Sequence, residues 1–174
     1  ACAGASKVDS MVFSYYSNLS RKQKSIYRAS DKIKRISLRN ASLITPLVAR
    51  LEEALRNENR SNIETITRQL TQTIIKDLKI PPVRVIVLAV RPSHDWGELH
   101  GLYEPAEKKQ QACISVWMRT AHHKKIVAFR TFLRTLLHEI CHHLDYELFN
   151  LEDSLHTEGF FKRESSLFKQ LVNG

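Results

Sequence analysis

The chain has 174 residues, 43% of them hydrophobic, which suffices to bury a core within one domain, and no apolar run approaches membrane-spanning length. Its net charge of +9 is uneven: residues 1 to 80 hold 15 basic and 7 acidic side chains, residues 81 to 174 hold 12 and 11. Three cysteines, Cys2, Cys113 and Cys141, with no C-x-x-C pair, argue against a disulfide scaffold or a zinc ribbon, and a cytoplasmic location is the expectation.

Residues 1 to 10 are small and polar and read as loosely ordered, followed by a short apolar anchor of Met11, Val12, Phe13, Tyr15 and Tyr16. Ser20 fits the N-cap of a helix running to about Ile36, with Ile26, Tyr27, Ile33 and Ile36 inward. From Arg21 to Arg39 eight basic residues face only Asp31, a cluster that suits either a solvated helix face or phosphate backbones. Tyr27 beside Arg28 fits the core more readily than a base-stacking role. Pro46 suits the first turn of a second helix, packing Leu47, Leu51, Ala54 and Leu55 and ending near Asn57-Glu58-Asn59. Ser61-Asn62-Ile63-Glu64 reads as a capping box opening a third, with Ile63, Ile66, Leu70, Ile74, Ile75 and Leu78 on one face.

Pro81-Pro82 closes this helical region, since proline lacks an amide donor and restricts its predecessor. Val83 to Val90 is rich in β-branched residues and reads as a strand covered on both faces or nearly so. Arg91 to Gln111 reads as loop, with a short strand at Leu99 to Tyr103, and Ala112 to Met118 as the next strand. Ala121 to Lys125 turns the chain into an amphipathic helix of about six turns, whose apolar face carries Ile126, Phe129, Leu133, Leu136, Leu137, Ile140, Leu144 and Leu148. An acidic loop at Asn150 to Leu155 precedes a last helix with Phe161, Leu167, Phe168 and Leu171 available for packing.

That amphipathic helix contains His138-Glu139-Ile140-Cys141-His142, an H-E-x-x-H arrangement. A four-residue step puts both imidazoles on one helix face, a turn apart, while Glu139 stays free to take a proton from water. Buried histidine and glutamate are costly to desolvate without a partner, and a metal ion supplies one. Cys141 reads as a packing residue. Catalytic zinc generally takes three protein ligands and leaves a fourth position open, so a third ligand is sought downstream. The candidates are His143, His156, Asp145, Glu147, Glu158 and Glu164. His143 points about 100° round the helix from His142 and reads as a helix-surface or supporting residue.

His138 to His142, followed after thirteen residues by His156-Thr157-Glu158-Gly159-Phe160, resembles the SprT-like metalloproteases, including the Spartan proteases. The resemblance spans about residues 81 to 172. It departs from the family at Thr157, where glycine is common, and in lacking cysteines for a C-terminal zinc ribbon. It implies an α+β, zincin-like fold over 81 to 174, a small mixed sheet with an active-site helix; the helical segment over 1 to 80 that precedes it is read from its own periodicity and has no match in the family. It also implies zinc held by His138, His142 and His156, with Phe160 packing beneath the third; a glutamate ligand, Glu158 or Glu164, is the rival. The expected activity is endopeptidase, a zinc-activated water attacking the peptide carbonyl with Glu139 as general base. By the same resemblance the strand at Ala112 to Met118 is the sheet edge along which a substrate pairs. His94, His100, Tyr103, His122, His123 and Tyr146 are candidates for a second oxyanion donor. Two other expectations stand beside this one: a DNA-associated protease or nucleic-acid-binding module using Arg21 to Arg39, and a non-catalytic, zinc-stabilised interaction domain.

Overall fold

A computed structural model describes residues 12–95 and 97–172; residues 1 to 10, Met11 and Cys2 lie outside the described residues. The architecture is α+β. In chain order come a 3-10 helix (Ser14–Asn18), α1 (Arg21–Lys32), α2 (Ala41–Arg56), α3 (Arg60–Leu78), β1 (Arg84–Val90), β2 (Ser93–His94), β3 (Gly97–Glu98), β4 (Gly101–Glu104), β5 (Cys113–Arg119), α4 (Phe129–Glu147) and α5 (Glu158–Val172). The sheet has the order β1-β5-β4, with β5 parallel to β1 and antiparallel to β4, and β2 and β3 form a separate hairpin. No helix among the described residues is long and apolar enough to cross a membrane.

One hydrophobic cluster runs through both halves of the chain. It joins Leu51 of α2, Ile63, Leu70 and Ile74 of α3, Val85 and Val87 of β1, Ile114 and Val116 of β5, Leu133, Leu137 and Ile140 of α4, and Leu167 of α5. The three- and four-residue apolar spacing of α4 thus becomes a buried face. Each such leucine contributes roughly 1.5–3 kcal/mol by leaving water. Leu137→Ala, at a fully buried position, would cost about 2–5 kcal/mol and loosen the helix that carries the histidine pair.

Several element boundaries differ from the sequence reading because distant residues set them. Ser20 caps α1 as expected, in a reciprocal box with Gln23. The helix stops at Lys32 rather than near Ile36, because its carbonyls find other donors. Arg163 Nη1 donates to Ser30 O at 2.7 Å and to Ile33 O at 2.6 Å, and Gln170 Nε2 donates to Ile36 O at 2.7 Å. The second helix begins five residues before Pro46, so that proline lies in its second turn and removes one helical hydrogen bond. Its start is fixed by Asp77, which accepts from Arg39 N at 2.7 Å and Asn40 N at 3.0 Å.

The third helix is capped by Asn59, whose Oδ1 accepts from Asn62 N at 3.1 Å, and not by Ser61. Glu64 is drawn away from any capping role. It accepts from Val87 N at 2.9 Å and pairs with Arg68 at 2.7 Å, while Arg68 Nε donates to Val85 O at 2.9 Å. These two side chains close the outer edge of β1. That strand is covered on one face only, with Val85 and Val87 buried and Leu88, on the alternate face, 37% exposed. The expectation that the Ala112 to Met118 strand forms an open edge is overturned too: β5 is central and buried from Cys113 to Met118, and the edges are β1 and β4.

Candidate metal centre

Helix α4 presents His138 and His142 a turn apart, and the chain beyond it reverses to bring in a third imidazole. The reversal uses Asn150 in the left-handed region, at φ 51°, with Leu151 N bonded to Asp145 O at 2.9 Å. Thr157, buried at the start of α5, then accepts from Phe160 N at 2.9 Å through its hydroxyl, a local cap that fixes the chain just after His156. Phe160 is fully buried, with its ring centroid 4.8–5.1 Å from those of His138, His142 and His156.

The three Nε2 atoms form a small triangle. His138 to His156 is 2.9 Å, His138 to His142 is 3.3 Å and His142 to His156 is 3.2 Å. A tetrahedral site with metal–nitrogen bonds of about 2.0–2.1 Å has an edge of about 3.3 Å, so the triangle is metal-sized. The other ring nitrogens decide what faces the centre. His138 Nδ1 lies 3.1 Å from Glu164 Oε2, and His142 Nδ1 lies 2.7 Å from Ser154 Oγ, whose hydroxyl donates to Asp145 Oδ2 at 2.7 Å. These acceptors place the ring protons of both on Nδ1, leaving their Nε2 lone pairs turned inward. Converging lone pairs repel unless a cation lies between them, and this is the observation by which the residues fit a metal ion.

Behind the cluster the support is buried and ionic. Asp145 Oδ1 accepts from Arg163 Nη2 at 2.7 Å with both side chains fully inaccessible. Burial pushes the Asp145 carboxyl up, while Arg163 and Ser154 pull it down. His142 is driven down to about 3, first by burial and then by His138, His156 and Arg163, so it stays neutral as a ligand must. Burial likewise lowers His156.

Glu139 points to the other side of the centre and is only 6% exposed. Burial raises its carboxyl to about 7, against the pull of His138 and with a further push from Glu164. It packs against Gly101 at the start of β4, where an added Cβ would meet Glu139 Oε1 at 2.4 Å and Thr135 Cγ2 at 2.8 Å. Two clefts meet along this strand and share Gly101, His138 and Glu139. One, of about 320 Å³, is walled by His100, Arg134 and Thr135; the other, of about 350 Å³, by Leu102, Tyr103, Pro105 and Tyr146.

The structure brings His138, Glu139, His142 and His156 together, and the rival ligands go elsewhere. Glu164 supports His138 from outside, and Glu158 pairs with Lys162 one turn along α5. Asp145 and Glu147 also lie outside the metal-sized cluster. His143 is buried rather than on the helix surface, because its Nε2 meets Pro81 O at 2.9 Å and its Nδ1 meets the Tyr103 hydroxyl at 3.1 Å, locking α4 to β4. Cys141 is buried packing, and burial pushes its thiol up. Among the oxyanion candidates, His100, Tyr103 and Tyr146 line the clefts, whereas His94, His122 and His123 do not. Tyr27 is core, 2% exposed.

Sequence reasoning missed Gly101, Ser154 and Arg163. Ser154, two residues before His156, sat within the interval that it counted only as spacer, and Arg163 carried no local signal. No protein-family model matches the chain, and comparison with curated proteins and with solved structures finds no significant match.

Proposed function

We propose that this protein is a zinc-dependent endopeptidase of the SprT-like, zincin kind, with His138, His142 and His156 holding the metal and Glu139 as general base. The observation that carries the reading is the pairing of an inward-facing three-imidazole cluster with a buried carboxylate one residue along the same helix, both opening onto a sheet edge. When bound, zinc supplies Lewis-acid chemistry that makes water acidic near neutral pH and polarises a carbonyl. The chain's own residues do the rest. Glu139 accepts the proton of the attacking water and returns it to the leaving amine, from a buried position beside the first histidine of the cluster. Glu164 and Ser154 hold two of the rings in the tautomer that ligation requires.

An extended peptide would pair with β4. Of the two sheet edges, β1 is closed by Glu64 and Arg68, while β4 runs past Glu139 between the two clefts. Metal content by mass tests the ligand set: the parent should carry one zinc and His156→Ala should lose it. Glu139→Gln should keep zinc and lose at least ~100-fold in peptide cleavage. Zinc with no peptidase activity, and no response to a hydroxamate, would indicate the zinc-stabilised interaction domain instead.

A DNA-associated version of this activity is favoured by one observation. Lys32, Lys34 and Arg35 are exposed just beyond the end of α1 or at it, and no ion pair involves them among the described residues. Salt-dependent DNA binding that weakens when the three are neutralised would support it; no binding at low salt would remove it.

A further inference from the structure

The N-terminal segment has no role in the chemistry above, yet its contacts converge on the loop and helix that complete the histidine cluster. The Tyr15 hydroxyl donates to the backbone carbonyl of His156 itself. Lys22 forms an ion pair with Glu152 in the same loop. At the far end of α1, Asp31 Oδ1 accepts from Gly159 N at 2.8 Å, and the approach is so close that a Cβ at position 159 would lie 2.5 Å from Asp31 O. Arg163, which supports His142 through Asp145 and Ser154, also donates from Nη1 to the carbonyls of Ser30 and Ile33 and from Nη2 to Ser30 Oγ. The ring of Phe13 meets Phe161 edge-on at 5.9 Å, and Phe161 stacks on His156 at 5.7 Å.

We infer that the segment from Phe13 to Ile33 is part of the metal centre, with Tyr15 as the positioning residue for His156, so that docking of this segment and metal binding are thermodynamically linked. The inference rests on the metal reading above but not on peptidase activity. The physical argument is asymmetry of support. His138 and His142 ride on a buried helix and are held by it, whereas His156 stands between a loop and a helix start, and is itself exposed. Among the described residues the donor to its backbone carbonyl is the Tyr15 hydroxyl, which reaches it from a sequence distance of 141 residues. Each tie lost lets the third ligand wander, and the loss is felt as weaker metal binding. By linkage, zinc must tighten the docked segment by the same factor that docking tightens zinc.

The test uses the full chain, with zinc as the probe. Zinc affinity, measured by competition with a chromophoric chelator, should fall about tenfold in Tyr15→Phe, the low end of the effect of losing an outer-shell partner. Adding zinc to the parent should slow hydrogen exchange at the Tyr16 and Leu19 amides, which bond within the segment, and should do so less in Tyr15→Phe. Lys22→Gln, which removes a different tie at the surface, should weaken zinc in the same direction. Equal zinc affinity in parent and Tyr15→Phe overturns the inference, as does exchange at Tyr16 and Leu19 that zinc leaves unchanged. A parent chain that binds no zinc overturns the metal reading and this inference together, an outcome distinct from either of those.

Discussion

Gly101→Ala is the substitution that most sharply tests the position of Glu139. The backbone at residue 101 is ordinary, so alanine suffers no conformational penalty there; the conflict is spatial. Its methyl would lie 2.4 Å from Glu139 Oε1, 2.9 Å from Glu139 Cγ and 2.8 Å from Thr135 Cγ2. Ordinary contacts need about 3.5 Å, so roughly 1 Å must be found by swinging the carboxylate aside or lifting β4 from α4. Overpacking of this kind costs about 1–3 kcal/mol in stability. A displacement of about 1 Å at a reacting group costs on the order of 100-fold in rate. His138 and His142 sit on α4 and His156 beyond it, so zinc stoichiometry should be unchanged. The assay is peptide cleavage by the zinc-loaded variant, alongside metal content and a melting curve. A folded, zinc-loaded Gly101→Ala chain that cleaves at the parent rate would refute a general base acting from this position.

Other outcomes follow from the same contacts. Ser154→Ala breaks the link from Asp145 to His142 and should lower zinc affinity about 10- to 100-fold in chelator competition. Arg163→Met leaves the Asp145 carboxylate buried without its cation and should cost about 3–5 kcal/mol in urea unfolding. The metal-free chain should show a pH effect from Glu139. Its folded pKa of about 7 exceeds the unfolded value near 4.5, so its contribution favours folding below about pH 4.5 and is lost as pH rises through 7. Glu139→Gln removes that loss, so in chelator the variant should gain up to ~3 kcal/mol over the parent at pH 8 relative to pH 4. A constant difference between the two chains across that range would contradict the raised carboxyl.

Both the fold and the site were partly legible in the residues. The periodicity of α4 and the four-residue spacing of His138 and His142 are local properties of a helix, so the pair could be read directly. His156 was legible because an interval of thirteen residues suffices for a helix end and a reversal, though the interval alone did not exclude an acid. Much of what misled was decided by a remote partner: the end of α1, set by Arg163 and Gln170; the start of α2, set by Asp77; and the use of Glu64, claimed by Val87; the start of α3 was a local misreading, with Asn59 rather than Ser61 as its cap. Local propensity cannot register a competitor for a carbonyl when that competitor is more than a hundred residues away.

The sequence by itself therefore determined the chemistry on offer: two imidazoles and a carboxylate on one helix, a third imidazole within reach, and an amphipathic pattern strong enough to bury that helix. Only the tertiary structure decided how the offer is arranged. It turned Glu164 from a rival ligand into a support for His138, made β4 rather than β5 the open edge, and tied the N-terminal segment to His156. The reason is that ligand identity follows from side-chain type and helical pitch, both carried locally, whereas ring tautomer, edge exposure and loop position depend on contacts between segments that the chain brings together only on folding.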